Sequence, residues 1–186
     1  MISGRKKEGF IVQKLMNAVF VIAVFVITLC GTSFADGWYK AKWGMSPEQA
    51  EQALGEKLFP SSSKFAGETY SHKLGPFKIG NYDYEPFLSF AGGSLGKVHL
   101  RFKGTGGAEA YSAFSNTKDM LVGKYGPPVG SEKSKMMGGG EIQTEKWISD
   151  DTMITLNYYS MSLPGGASFG ANITYEPRLS GGSDKL

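Results

Sequence analysis

Trp43 to Pro60, WGMSPEQAEQALGEKLFP, is the stretch whose reading decides the fold. Ser46 offers an N-cap hydroxyl, Pro47 takes the first helical position, and Gln49 completes a Ser-x-x-Gln capping box. Ala50, Ala53, Leu54 and Leu58 then fall at i, i+3, i+4 and i+8, which is one apolar stripe. Pro60 followed by Ser61, Ser62 and Ser63 ends the helix. That ending recurs: Leu54, Lys57 and Pro60 have identical counterparts 67 residues later at Leu121, Lys124 and Pro127. The repeat reads as one helix-plus-hairpins unit written twice.

The segments between the two copies are β in character. Phe65 to Leu74 and Phe77 to Phe90 read as strands, broken at Gly75-Pro76 and loosened at Gly80. After a Gly92-Gly93 turn, Val98, Leu100 and Phe102 alternate with His99, Arg101 and Lys103, one set facing in and the other out. A second helix is predicted over about Ala108 to Lys124, with Ala110, Phe114, Thr117 and Leu121 on its stripe. Gly126 and Pro127-Pro128 stop it. Ser131 to Gly140 reads as a mobile loop. Three further strands follow, Thr144–Ser149, Thr152–Met161 and Ser168–Glu176, turned at Asp150-Asp151 and at Pro164-Gly-Gly166.

The predicted order is αβββ-αβββ. This gives an α+β fold: two αβββ repeats forming one antiparallel sheet with two helices on one face. Repeat one covers about 43–104 and repeat two about 108–176, within a single domain of residues 36–178. Residues 179–186 read as a polar, disordered tail.

Toward the N-terminus the chain carries a leader. Arg5, Lys6, Lys7 and Lys14 are followed by the uncharged, mostly apolar run Leu15 to Leu29, with small residues Ser33 and Ala35 ahead of Asp36. This is the pattern of a secretory signal peptide, residues 1–35, cut between Ala35 and Asp36. A retained leader would instead anchor the chain in a membrane, with the aromatic-basic segment Asp36 to Lys42 at its surface. The chain has 20 Lys+Arg against 17 Asp+Glu, and the leader holds 4 and 1 of these, leaving 16 against 16. A neutral domain offers no whole-molecule field for nucleic acid. The one Cys, Cys30, lies in the leader, so the domain has no disulfide and no thiol nucleophile.

The residues also carry a resemblance. Trp-Gly-Met-Ser-Pro-Glu opening a helix, a Phe-x-Gly-Gly-x-Leu hairpin, Tyr-Gly-x-Pro closing a helix, and a Trp strand before Ile-x-Leu and Ile-x-Tyr strands resemble small exported, periplasmic proteins of Gram-negative bacteria. The tandem layout is similar to β-lactamase-inhibitor-type domains. A single unit resembles the small lipoprotein of the outer-membrane β-barrel assembly machinery. The resemblance covers most of residues 43–176 through structural motifs, and it implies binding in preference to catalysis.

Candidate chemistry is sparse. Gly104, Gly106 and Gly107 lack a dinucleotide fingerprint or a Walker lysine. His72 and His99 match no zinc spacing, and no Gly-x-Ser-x-Gly elbow is present. No catalytic residue, metal or cofactor is expected. Strand alternation puts His99, Arg101, Asn157, Tyr159 and Asn172 on the sheet face that the helices leave open, where Arg and Tyr are favoured anchors for a partner. The sequence therefore predicts a non-enzymatic, periplasmic or secreted envelope protein that binds a protein or other envelope component through that face. Its rivals are a membrane-anchored assembly or inhibitor protein and a small hydrolase with a Ser/His/Asp site assembled across the fold.

Overall fold

The computed structural model describes residues 37–65, 67–136 and 140–178. The leader with its cut site, Met137 and the tail 179–186 lie outside the described residues. A short hairpin, β1 (Gly37–Trp38) and β2 (Ala41–Lys42), leads into helix α1 (Pro47–Leu54). Five strands follow: β3 (Phe59–Phe65), β4 (Glu68–Lys73), β5 (Phe77–Ile79), β6 (Tyr82–Ala91) and β7 (Ser94–Phe102). Helix α2 (Gly107–Tyr125) then precedes β8 (Gly130–Lys135), β9 (Glu141–Ser149), β10 (Thr152–Leu163) and β11 (Gly166–Pro177).

The caps of α1 follow from its local chemistry. Gln49 N–H donates to Ser46 Oγ (3.3 Å) and Ser46 N–H donates to Gln49 Oε1 (2.9 Å), so both arms of the capping box close. The helix ends sooner than Pro60. Gly55 adopts φ 71°, a left-handed cap that glycine takes without a Cβ clash. Leu58 still buries, outside the helix, with its N–H held by Glu51 Oε2 at 2.9 Å. In α2 the stripe Ala110, Phe114, Thr117 and Leu121 is buried as its spacing requires, joined by Ala113.

Strands β3 to β11 form one nine-stranded antiparallel sheet in the order β3-β4-β6-β7-β11-β10-β9-β8, with β5 paired to β6. This corrects the expected pair of αβββ repeats. The protein is mostly β, with five strands after α1 and four after α2. Two strands escaped the sequence reading for one reason. β3, Phe-Pro-Ser-Ser-Ser-Lys-Phe, looks like a helix terminator, and β8, Gly-Ser-Glu-Lys-Ser-Lys, looks like a loop. Both are edge strands, held by backbone pairing on one side and carrying the polar, charged residues that protect an edge. Ser131 to Lys135 of the expected Ser131–Gly140 loop thus belong to strand β8.

The two halves meet at β7 and β11, where Val98, His99 and Leu100 oppose Tyr175, Thr174 and Ile173. A single core spans the seam. Ala50 and Leu54 of α1 and Phe114 and Leu121 of α2 share it with Leu88, Val98, Leu100, Ile154, Leu156 and Ile173. Among the described residues no helix is long and apolar enough to cross a membrane.

Trp43 pins the first half to the second. Its indole Nε1–H donates to Thr152 Oγ1 at 3.0 Å, and both groups are buried. Thr152→Val keeps the shape and removes the acceptor, stranding the indole donor. The expected loss is about 1–3 kcal/mol in urea unfolding. A loss within error would mean that water reaches the indole.

Candidate functional site

The five residues expected on the open face are split by the structure into two groups. His99 and Arg101 lie under the β3–β4 hairpin. Phe65 of β3 stacks on the His99 ring with centroids 4.7 Å apart and meets Phe87 edge-on at 4.8 Å. Tyr70 packs from the side. His99 is therefore buried, not solvent-facing, which corrects the sequence reading of a solvated strand histidine. Its Nδ1 shares a hydrogen bond with Thr174 Oγ1 at 3.1 Å, and its Nε2 has no partner among the described residues. Burial first, then the Arg101 cation, push its pKa down to about 4, with Lys97 adding to the shift and Glu68 opposing it. The ring is neutral at pH 7.

Arg101 lies over the Phe65 and Phe87 rings and pairs with Glu85, which also takes Lys73 Nζ at 3.0 Å. Burial tends to raise the Glu85 pKa, but the two cations outweigh it and hold the carboxyl below its usual range. Lys97 bridges Glu68 and Glu176, each at 2.7 Å. Lys73, Lys97 and Arg101 in this half of the face each have a carboxylate partner, so these three charges are locally neutralised.

Asn157, Asn172 and Tyr159 form the second group. Asn157 and Asn172 are direct cross-strand neighbours, as are Tyr159 and Gly170. Both amide oxygens are committed: Thr144 Oγ1–H donates to Asn157 Oδ1 (2.8 Å), and Phe102 N–H donates to Asn172 Oδ1 (3.1 Å). The Tyr159 ring covers Gly170, where a Cβ would collide with it.

The hydrolase alternative meets one suggestive pair. Ser71 Oγ lies 3.0 Å from His72 Nδ1, and His72 lines an open hollow of about 480 Å³ beside α1, together with Glu48 and Glu51. The arrangement is inverted for nucleophile activation, since the serine occupies the ring nitrogen that an orienting carboxylate would need. Glu48 spends its carboxylate on Ser46 Oγ (2.7 Å), the first cause that lowers its pKa. No group of three or more His, Cys, Asp or Glu poised to hold a metal occurs among the described residues.

A different place has the shape of a ligand site. A pocket of about 450 Å³ opens between the N-terminal hairpin, β5 and the C-terminal half of α2. Trp38, Tyr39, Phe77 and Ile79 form one wall. The Trp38 and Phe77 rings meet edge-on at 5.3 Å and Tyr39 packs on Phe77 at 6.3 Å. Met120, Leu121, Lys124 and Tyr125 form the opposite wall, and Ile173 and Tyr175 of β11 the floor. Burial, with the neighbouring Tyr125 and Tyr84 phenols, raises the Tyr175 pKa far above neutral, so its hydroxyl stays a protonated donor. Sequence reading missed this site because its lining comes from five separated segments, Ser149 of β9 being the fifth. The one local signal was Met120 and Lys124, each three residues after a member of the buried stripe of α2, Thr117 and Leu121.

Comparison with protein-family profiles, with curated proteins and with solved structures finds no match.

Proposed function

We propose that the protein is an exported, non-enzymatic binding protein of the bacterial envelope that holds a small, largely apolar ligand in the aromatic pocket. The observation that carries this reading is the pocket itself. It is concave, its volume lies in the ligand range of roughly 300–1,000 Å³, and a few polar groups converge on apolar walls. Export rests on the leader pattern of residues 1–35 and predicts an intact mass beginning at Asp36. Retention of the leader would make the protein membrane-anchored.

The test is uptake of a neutral apolar fluorophore, N-phenyl-1-naphthylamine. Saturable one-site binding is expected, weakened at least about tenfold by Ile79→Trp, which fills the pocket from β5. Equal binding by wild type and filled variant would place the ligand elsewhere.

A second reading keeps the open face as a docking surface for a protein or other envelope component. It is favoured by the Asn157–Asn172 pair, whose tied oxygens leave two amide N–H₂ groups side by side near Tyr159. On this reading Tyr159→Ala weakens partner capture by about 2 kcal/mol, the usual scale for an interface anchor, and Ile79→Trp does not. A fluorophosphonate probe separates both readings from the hydrolase alternative, for which stoichiometric serine labelling is required.

A further inference from the structure

The charge around the aromatic pocket narrows its ligand. Lys124 is the sole charged side chain lining it, and no carboxylate lines it among the described residues. The ammonium rests 4.8 Å from the Tyr125 ring centroid and makes no ion pair among the described residues. The open sheet face is the contrast, since Lys73, Lys97 and Arg101 all meet glutamates there. A lysine in the last turn of α2 suits the helix carbonyls, but that placement does not account for a pocket with no carboxylate among its described lining residues. The Tyr125 and Tyr175 phenols at the same end supply O–H donors. One end of the pocket thus offers a cation and two hydroxyls, while the Trp38–Phe77–Ile79 wall offers apolar surface.

We propose that the pocket takes a carboxylate-bearing amphiphile, its apolar body against Trp38, Phe77 and Ile79 and its carboxylate at Lys124. This rests on the pocket being the binding site. A cationic amphiphile would bring its charge toward Lys124 with no acid among the described lining residues to offset it. A neutral one would leave the ammonium unmatched beside an apolar body. A carboxylate gains a charge-assisted hydrogen bond there, of the stronger class.

The experiment is isothermal titration of the protein with decanoate, decan-1-ol and decyltrimethylammonium at submicellar concentrations. Decanoate should bind about tenfold or more tighter than decanol, the scale of one hydrogen bond to a charged group. The ammonium should bind most weakly. Lys124→Gln, at an exposed position, should bring decanoate to within about twofold of decanol, and Ile79→Trp should weaken all three. Decanol binding as tightly as decanoate, or decanoate binding unchanged in Lys124→Gln, overturns the head-group inference while leaving the pocket reading intact. Failure of every amphiphile to bind, or binding indifferent to Ile79→Trp, overturns both.

Discussion

Lys118→Met should destabilise the protein by about 3–5 kcal/mol, the usual cost of leaving one member of a buried ion pair alone. Glu145 lies on β9 in the layer between the sheet and α2, with only 6% of its side chain exposed. One carboxylate oxygen pairs with Lys118 Nζ, and the other has no partner among the described residues. Removing the ammonium leaves a buried charge with nothing to offset its desolvation. The 36% exposure of Lys118 lets water reach the site, which pulls the figure toward the lower end. The double variant Lys118→Met/Glu145→Leu should recover most of the loss, because apolar replacements of buried pairs are often neutral or better. Urea unfolding of wild type, single and double variants checks both statements. A single-variant loss below about 1 kcal/mol, typical of exposed pairs, would mean that Glu145 is solvated in solution.

Glu145 also marks where the sequence is legible and where it is not. The start of α1 is readable because all its determinants, Ser46, Pro47 and Gln49, lie within four consecutive positions and act on one another. The β7 alternation is readable because Val98, Leu100 and Phe102 face the common core. Features set by distant segments are different in kind. Nothing near Glu145 in the chain announces that α2 will bring Lys118 to it, so a charged residue in a strand reads as an outward one. Nothing near His99 announces Phe65, which arrives on an edge strand whose serines look like a helix terminator. The pairing of β7 with β11 sets the sheet order, yet its two strands are separated by all of α2 and β8 to β10. Alternation placed the five expected residues opposite Val98 and Leu100. It could not say that His99 would be covered, or that Asn157 and Asn172 would spend their oxygens on Thr144 and Phe102. The aromatic pocket was out of reach for the same reason, since its walls are assembled by topology.

His99 makes the pH dependence of stability specific. Burial beneath Phe65, with the Arg101 and Lys97 cations nearby, pushes its folded pKa down to about 4 from the ordinary 6.5. Above pH 6.5 the ring is neutral in both states and its burial carries no proton penalty. As pH falls from 6.5 toward 4, the unfolded chain takes up a proton that the folded one refuses, so stability declines through that window. The difference between 6.5 and about 4 corresponds to roughly 3 kcal/mol, most of it lost by pH 4. Glu85, held below the usual carboxylate range by Lys73 and Arg101, acts in the same direction but lower, below about pH 4.5. The two contributions therefore separate along the pH axis. His99→Phe keeps a ring between Phe65 and Phe87 and removes the titration. Urea midpoints measured between pH 7.5 and 4.5 at fixed ionic strength should fall steeply for wild type and stay nearly flat for the variant across 6.5 to 5. Parallel slopes for the two proteins would show that the β3–β4 hairpin lifts off in solution and leaves His99 in water. The half of the sheet face carrying Arg101 would then be open to a partner after all.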